Sequence, residues 1–183
     1  MTGLRLIFKA DLPKRKPTRM HNFDYNSKGA YFITICTQDR KQILSKIAKS
    51  YDQSVGDGAH DIAKTVLSHY GKIVEKYILS TENIKGVEID SYIIMPNHIH
   101  MIIIIRGNII SNGMSKAPSP TNAMLSHIVS ALKRFCNKEI GHNIFQRSFH
   151  DHIIRNISDY NRIAKYIYEN PLLWEQDCFY TEN

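Results

Sequence analysis

Two short patterns in this 183-residue chain carry side chains that could do chemistry together. The first lies in Tyr92-Ile-Ile-Met-Pro-Asn-His-Ile-His-Met-Ile-Ile-Ile-Ile105, where His98 and His100 flank one isoleucine. In a strand, alternate side chains share a face, so the two imidazoles would point the same way, about 7 Å apart at Cα. From a rigid base they could grip one divalent cation. Ile102 and Ile104 continue the histidine face, while Met101, Ile103 and Ile105 make the other. With both faces apolar, this strand is expected to be central and covered on both sides. The same spacing also suits two core histidines bonded to backbone carbonyls, and spacing leaves both readings open. His150-Asp151-His152 repeats the pattern without a long apolar strand, behind Arg147-Ser148-Phe149, and is the weaker metal candidate.

The second pattern is Tyr166 and Asn170, four residues apart in a helical stretch and therefore on one helix face. A phenol one turn before a carboxamide places a nucleophile beside an oxygen ligand. With a pKa of about 10, a free phenol attacks poorly at neutral pH, so it needs an electrophile activated by a metal or a nearby cation. For Tyr160 and Tyr168, packing with the hydroxyl at the surface is the simpler role. Tyr168 lies about 200° around the helix from Tyr166, so one of the two at most can face a metal.

Elements to hold these groups are legible from periodicity. Ala30–Thr37 reads as a strand. Gln38–His60 is mixed and ends in a loop-like Ser54–Gly58. Asp61–Leu79 spaces Ile62, Val66, Tyr70, Ile73, Val74, Tyr77 and Ile78 by threes and fours, which predicts an amphipathic helix capped by Asp61. Ile84–Met95 and His98–Arg106 read as a hairpin about Pro96-Asn97. Gly107–Pro120 is a loop by composition. Asn122–Ile140 is a helix with Leu125, Ile128, Val129, Leu132 and Phe135 on its stripe, closed by Gly141. A strand is expected about His152–Ile154. A helix then runs from a Ser158 cap to Glu169, with Pro171 ending it by pushing the preceding residue out of helical geometry. The order β-α-β-β-α-β-α predicts an α+β fold: a ferredoxin-like, RRM-like antiparallel sheet with flanking helices.

Composition sets the boundaries. Apolar residues make 43% and charged residues 22% of the chain, which excludes a wholly disordered or fibrous polymer. Residues 1–28 form a basic arm with seven Lys/Arg against two acids, and 29–183 a single domain. The net charge of +7 suits a polyanionic partner. Cys36, Cys136 and Cys178 lie far apart with no CxxC pair, which fits a reducing cytoplasm better than a disulfide framework. No apolar run approaches the roughly 20 residues of a membrane helix, and no secretory signal is visible, so a soluble cytoplasmic protein is expected.

Four segments together resemble the one-tyrosine transposases with a His-hydrophobic-His (HUH) motif, and most closely the REP-associated tyrosine transposases. Met95-Pro-Asn-His-Ile-His100 is similar to the HUH strand itself. Phe23–Thr37 resembles the family's opening strand, Ile144–Asn156 its penultimate block, and Tyr166-Ile-Tyr-Glu-Asn-Pro171 its tyrosine helix. The resemblance covers roughly residues 20–180. It implies the HUH endonuclease fold, with His98, His100 and Asn170 ligating Mg²⁺ or Mn²⁺ and Tyr166 as the nucleophile. The mixed nitrogen and oxygen set favours manganese. The implied reaction is cleavage and strand transfer of single-stranded or hairpin DNA through a 5′-phosphotyrosine, by a monomer or a homodimer. Arg15, Lys16 and Arg19 on the arm, Lys133 and Arg134 on a helix, and Arg147 and Arg155 are then the candidate phosphate contacts. The alternative is a single-stranded nucleic-acid-binding module on the same fold without chemistry. His150 stands where relatives often carry an aromatic, and the 107–120 connection is longer than in many of them.

Overall fold

The computed structural model describes residues 28–52, 60–106 and 124–182. Arg15, Lys16 and Arg19 of the arm, and the 107–120 loop, lie outside the described residues. A four-stranded antiparallel sheet carries the site. Its strands are β1 (Gly29–Cys36), β4 (Val87–Ile94), β5 (His98–Ile105) and β6 (His150–Ile154), in the order β4-β5-β1-β6. A separate hairpin pairs β2 (Ser45–Asp52) with β3 (His60–Leu67). The helices are α1 (His69–Ser80), α2 (Met124–Ile140) and α3 (Ile157–Glu169). The α+β fold with flanking helices is the expected one.

As its run of apolar residues requires, β5 is central and covered on both faces. Ile99, Met101, Ile103 and Ile105 point into the main core, against Val74 and Ile78 of α1 and Leu125, Ile128, Val129 and Leu132 of α2. On the other face, Ile102 packs against Ile163 and Ile167 of α3, with Ala30, Phe32 and Ile104 around them. By strand alternation His98 and His100 share this second face, beneath α3.

The structure corrects the local reading in four places. Residues 61–67 are strand rather than helix. The spacing of four between Ile62 and Val66 is even, so it suits a period of two as well as 3.6, and β-branched residues favour the strand. Helix α1 begins after Ser68, whose hydroxyl accepts the Gly71 N–H at 3.1 Å. Gly71 is needed there because a Cβ would stand 2.1 Å from the Leu44 carbonyl oxygen. In α2 the buried stripe continues through Cys136, while Phe135 is 43% exposed and stacks on Tyr77.

At α3 the cap is Asn156, not Ser158: its side chain accepts the Asp159 N–H at 2.8 Å. The helix ends at Glu169 as expected, yet Asn170 keeps helical angles (φ −54°, ψ −40°). Pro171 stops it by lacking an N–H, not by displacing its neighbour. That difference matters, because helical angles at Asn170 keep it one turn beyond Tyr166 on the same face.

Candidate active site

Antiparallel pairing sets Cys36 opposite His98 and Thr34 opposite His100. Both imidazoles are buried, at 0% and 1% exposure, and their ring centroids are 4.4 Å apart. Asn97 donates its Nδ2 to the Phe179 carbonyl at 2.8 Å, which turns its Oδ1 toward His98 Nδ1 at 2.9 Å. His98 therefore carries its proton on Nδ1 and leaves Nε2 bare. His100 Nδ1 meets the Thr34 hydroxyl at 2.9 Å, a contact that either ring tautomer can make, and its Nε2 faces the Tyr166 hydroxyl. Rings on three sides close the pair in: Phe32 lies 5.1 Å from His100, and Phe179 and Trp174 lie 4.7 and 5.9 Å from His98.

Helix α3 delivers the other two expected residues. The Tyr166 hydroxyl sits 3.2 Å from His100 Nε2. Asn170 is buried at 1% exposure. Tyr168 is 86% exposed and Tyr160 donates its hydroxyl to Asp90, so neither shares the site.

One participant escaped the sequence reading. Asp177, in the tail after Trp174, accepts from the Tyr166 hydroxyl at 2.8 Å and from Asn170 Nδ2 at 2.6 Å through the same Oδ2. Its Oδ1 accepts the Phe179 N–H at 2.7 Å. Ligand atoms of His98, His100 and Asp177 all fall within 4.8 Å of one another. Nothing in the spacing of an isolated tail carboxylate ties it to a strand some 80 residues earlier. The link is tertiary, made by the tail turning back through Trp174–Gln176 to the Asn97–Phe179 bond.

Burial governs the charges. It lowers His98 to about 4, with Asp177 opposing and Arg40 adding to the shift. Burial and the neighbouring His98 hold His100 well below its ordinary value. Both rings are neutral at pH 7 and ready to ligate. Burial and the bond to Asp177 push the Tyr166 phenol well above its usual range. For Asp177 burial acts upward, but the Phe179 N–H, the Asn170 amide and the Tyr166 hydroxyl outweigh it and keep the carboxyl below its usual value.

The residues fit a divalent cation on one further observation. His98 Nε2 and Asn170 Oδ1 are buried acceptors without a hydrogen-bond partner. An unsatisfied buried polar atom costs about 1–3 kcal/mol, and a cation would satisfy both. Two imidazole nitrogens, a carboxamide oxygen and a carboxylate oxygen form a mixed donor set for such an ion.

The expected DNA contacts lie elsewhere. Lys133, Arg134 and Arg147 line one surface groove beside α2. Lys133 spends two donors on the Gln146 and Ser148 carbonyls, at 2.9 and 2.8 Å. Arg155 is exposed just past β6. The second histidine pair is also exposed: His152 Nε2 is engaged with Asp159 at 2.7 Å, and His150 points outward. Among the described residues, no helix is long and apolar enough to cross a membrane.

No family model matches the chain. An uncharacterized protein of Haemophilus influenzae is 31% identical over 96% of this chain and 98% of that protein. Among solved structures, a REP-associated tyrosine transposase bound to a REP hairpin matches with a TM-score of 0.55 and 20% identity, over 86% of this chain and 73% of that one. The strand carrying two buried imidazoles and the helix carrying Tyr166 therefore belong to a fold that this transposase shares, and the chain itself is a member of the same family as the Haemophilus influenzae protein.

Proposed function

We propose that the protein is a divalent-metal-dependent transposase that cuts and rejoins single-stranded DNA at a hairpin through a 5′-phosphotyrosine on Tyr166. The observation that carries this reading is the placement of the Tyr166 hydroxyl, 2.8 Å from Asp177 and 3.2 Å from His100 Nε2, beside two orphaned acceptor atoms. His98, His100 and Asn170 would hold the cation, with Asp177 against it. When bound, the cation supplies a positive charge that draws electron density from a phosphate oxygen and offsets charge as the transition state forms.

The chain's own groups do the rest. Asp177 holds the phenolic proton at its Oδ2 and takes it as Tyr166 Oη bonds to phosphorus. The bond from phosphorus to the 3′-oxygen breaks, and that oxygen leaves as a free 3′-hydroxyl after protonation. The phosphodiester energy stays in the tyrosyl bond, so attack by another 3′-hydroxyl rejoins DNA without ATP. Phe32, Trp174 and Phe179 limit water at the rings, which strengthens every charge interaction there. Tyr166 meets His100 of its own chain, so the reading requires no exchange of helices between copies.

Arg134, Arg147 and Arg155, with the arm, are the proposed phosphate contacts; Lys133 has one donor left for that role. Incubating 5′-labelled and 3′-labelled hairpin DNA with Mn²⁺ tests the assignment. The 3′-labelled fragment should migrate as a protein adduct that Tyr166→Phe abolishes and chelator prevents. An adduct retained by Tyr166→Phe would overturn the choice of nucleophile. Salt-sensitive binding with no adduct, indifferent to chelator and to His98→Ala, would leave a binding module.

A further inference from the structure

Arg40 stands beside the histidine pair without a part in the chemistry described above. It ends the short turn Gln38–Arg40 that follows β1, and both Asp39 and Arg40 have left-handed backbone angles, φ 54° and 53°. Among the described residues these are the two non-glycine positions with positive φ. Aspartate tolerates that region through its short polar side chain; arginine takes it rarely, because its Cβ crowds the following carbonyl. Such an angle persists where the surroundings impose it, and it gathers at functional sites. Asp39 is exposed and accepts from Gln38 Nε2 at 3.0 Å.

The turn is tied to the site at its base. The Thr37 N–H donates to the Asn97 carbonyl at 2.9 Å, and Asn97 is the residue that orients His98. The Gln38 N–H donates to the Ile144 carbonyl at 2.7 Å. From this base the Arg40 guanidinium reaches the tail and is half-buried. Its Nη1 donates to the Cys178 carbonyl at 3.0 Å, and its Cζ lies 4.9 Å from the centre of the Phe179 ring. That ring lies 4.7 Å from the His98 ring, so one aromatic side chain touches both the cation and the first imidazole.

Holding the tail does not require a charge. Two neutral amides do the same work nearby: Gln42 donates Nε2 to the Thr181 carbonyl at 2.6 Å, and Asn97 donates Nδ2 to the Phe179 carbonyl at 2.8 Å. Arg40 makes no ion pair with any described carboxylate. Among the described residues the Cys178 carbonyl takes one of its five N–H donors. Before substrate binds, the charge is unfavourable: it adds to the lowering of His98 and repels a cation held there. The balance reverses when an anion arrives. A phosphodiester attacked by a phenol gathers negative charge, and a planar guanidinium fits two phosphate oxygens at once.

We infer that Arg40 is a phosphate clamp of the site, donating to a phosphodiester of the strand that Tyr166 attacks. The inference rests on the DNA reading above, but its test needs no cleavage. Binding of a fluorescein-labelled oligothymidine is measured by anisotropy across a salt series in Mn²⁺, with Tyr166→Phe as the background so that the DNA stays uncut. Adding Arg40→Gln keeps an amide donor for the Cys178 carbonyl and removes the charge. It should weaken binding by about 10-fold at moderate salt and lower the salt slope by about 0.7, the share of one phosphate on a single strand. Arg40→Lys should keep the parental slope, and Lys85→Gln, at an exposed cation on the η2 turn Thr81–Asn83 side of the molecule, should leave affinity and slope unchanged. Mn²⁺ calorimetry without DNA separates charge from tail support. With a repelling cation removed, Arg40→Gln should bind Mn²⁺ at least as tightly as the parent; weaker Mn²⁺ binding would mean that Arg40 acts by holding the tail, and would overturn the inference. An unchanged oligothymidine affinity and slope, or an equal loss from Lys85→Gln, would overturn it too. Should Arg40→Gln fail to fold, Arg40→Gly, which suits a positive φ, must show the same loss of DNA binding. A chain that forms no adduct on Tyr166 yet shows this Arg40 effect keeps the clamp and loses the transposase reading; an adduct without the effect does the reverse.

Discussion

His98-Ile99-His100 and His150-Asp151-His152 have the same spacing and lie on strands of one sheet, yet they are chemically unlike. The first pair sits on the central strand beneath α3, fully buried, each ring oriented through Nδ1 by Asn97 or Thr34. The second sits on the edge strand β6, exposed, with His152 paired to a carboxylate that Arg162 also bonds. Spacing gives two rings a common direction. What makes a site is that the outward nitrogen of His98 has no competing partner and that of His100 meets the Tyr166 hydroxyl. At the centre, burial keeps the rings neutral and leaves Nε2 of His98 bare. At the edge, the ring is exposed and Asp159 holds its Nε2.

The sharpest separation of the two pairs is by metal titration. The parent chain should bind Mn²⁺ in isothermal calorimetry; His98→Ala or His100→Ala should abolish that binding, whereas His150→Ala and His152→Ala should leave it unchanged. Equal losses from both pairs would remove the distinction.

Acid provides the next contrast. The folded chain keeps His98 neutral down to about pH 4, while the unfolded chain protonates it near 6.5. Unfolding therefore takes up a proton in that window, and stability is full above about 6.5 and falls as pH drops toward 4. For His98 the loss should be about 3 kcal/mol, a change that denaturant titration of the metal-free protein would read. His98→Gln should flatten the slope; His152→Gln should not.

Asp177→Asn sharpens the comparison from the tail side. It keeps the shape but removes the charge that both orients Tyr166 and faces the cation. Mn²⁺ affinity should fall by about 10-fold to 100-fold, with the fold intact by circular dichroism. Last and smallest, His152→Gln should leave thermal unfolding within the scatter of repeat melts, because an exposed ion pair contributes little.

How much of this was readable depends on the range of the interactions. β5 announced itself because seven of its eight residues are buried on two faces, and such a strand needs an unbroken apolar run. Tyr166 and Asn170 were legible as a pair because helix geometry relates residues four apart. Residues 61–67 were misread because an even spacing of four satisfies both periods. Asp177 was invisible for a different reason. Its partners Tyr166 and Asn170 are within 11 residues, but the turn that brings it back is made by Trp174, Phe179 and Asn97, and no local pattern encodes that. The separation of groove from site was likewise hidden, since Lys133, Arg134 and Arg147 were legible as charges but not as neighbours.

The central claim is that the phenol of Tyr166, set beside the buried histidine pair, forms the bond to DNA. Mass spectrometry of the proteolysed adduct, after nuclease trimming, reads that bond directly. The account predicts a 5′-phosphonucleotide on the peptide carrying Tyr166, fragmenting to that side chain. The same modification on Tyr168 or Tyr160, or cleaved DNA bearing no peptide at all, would contradict it.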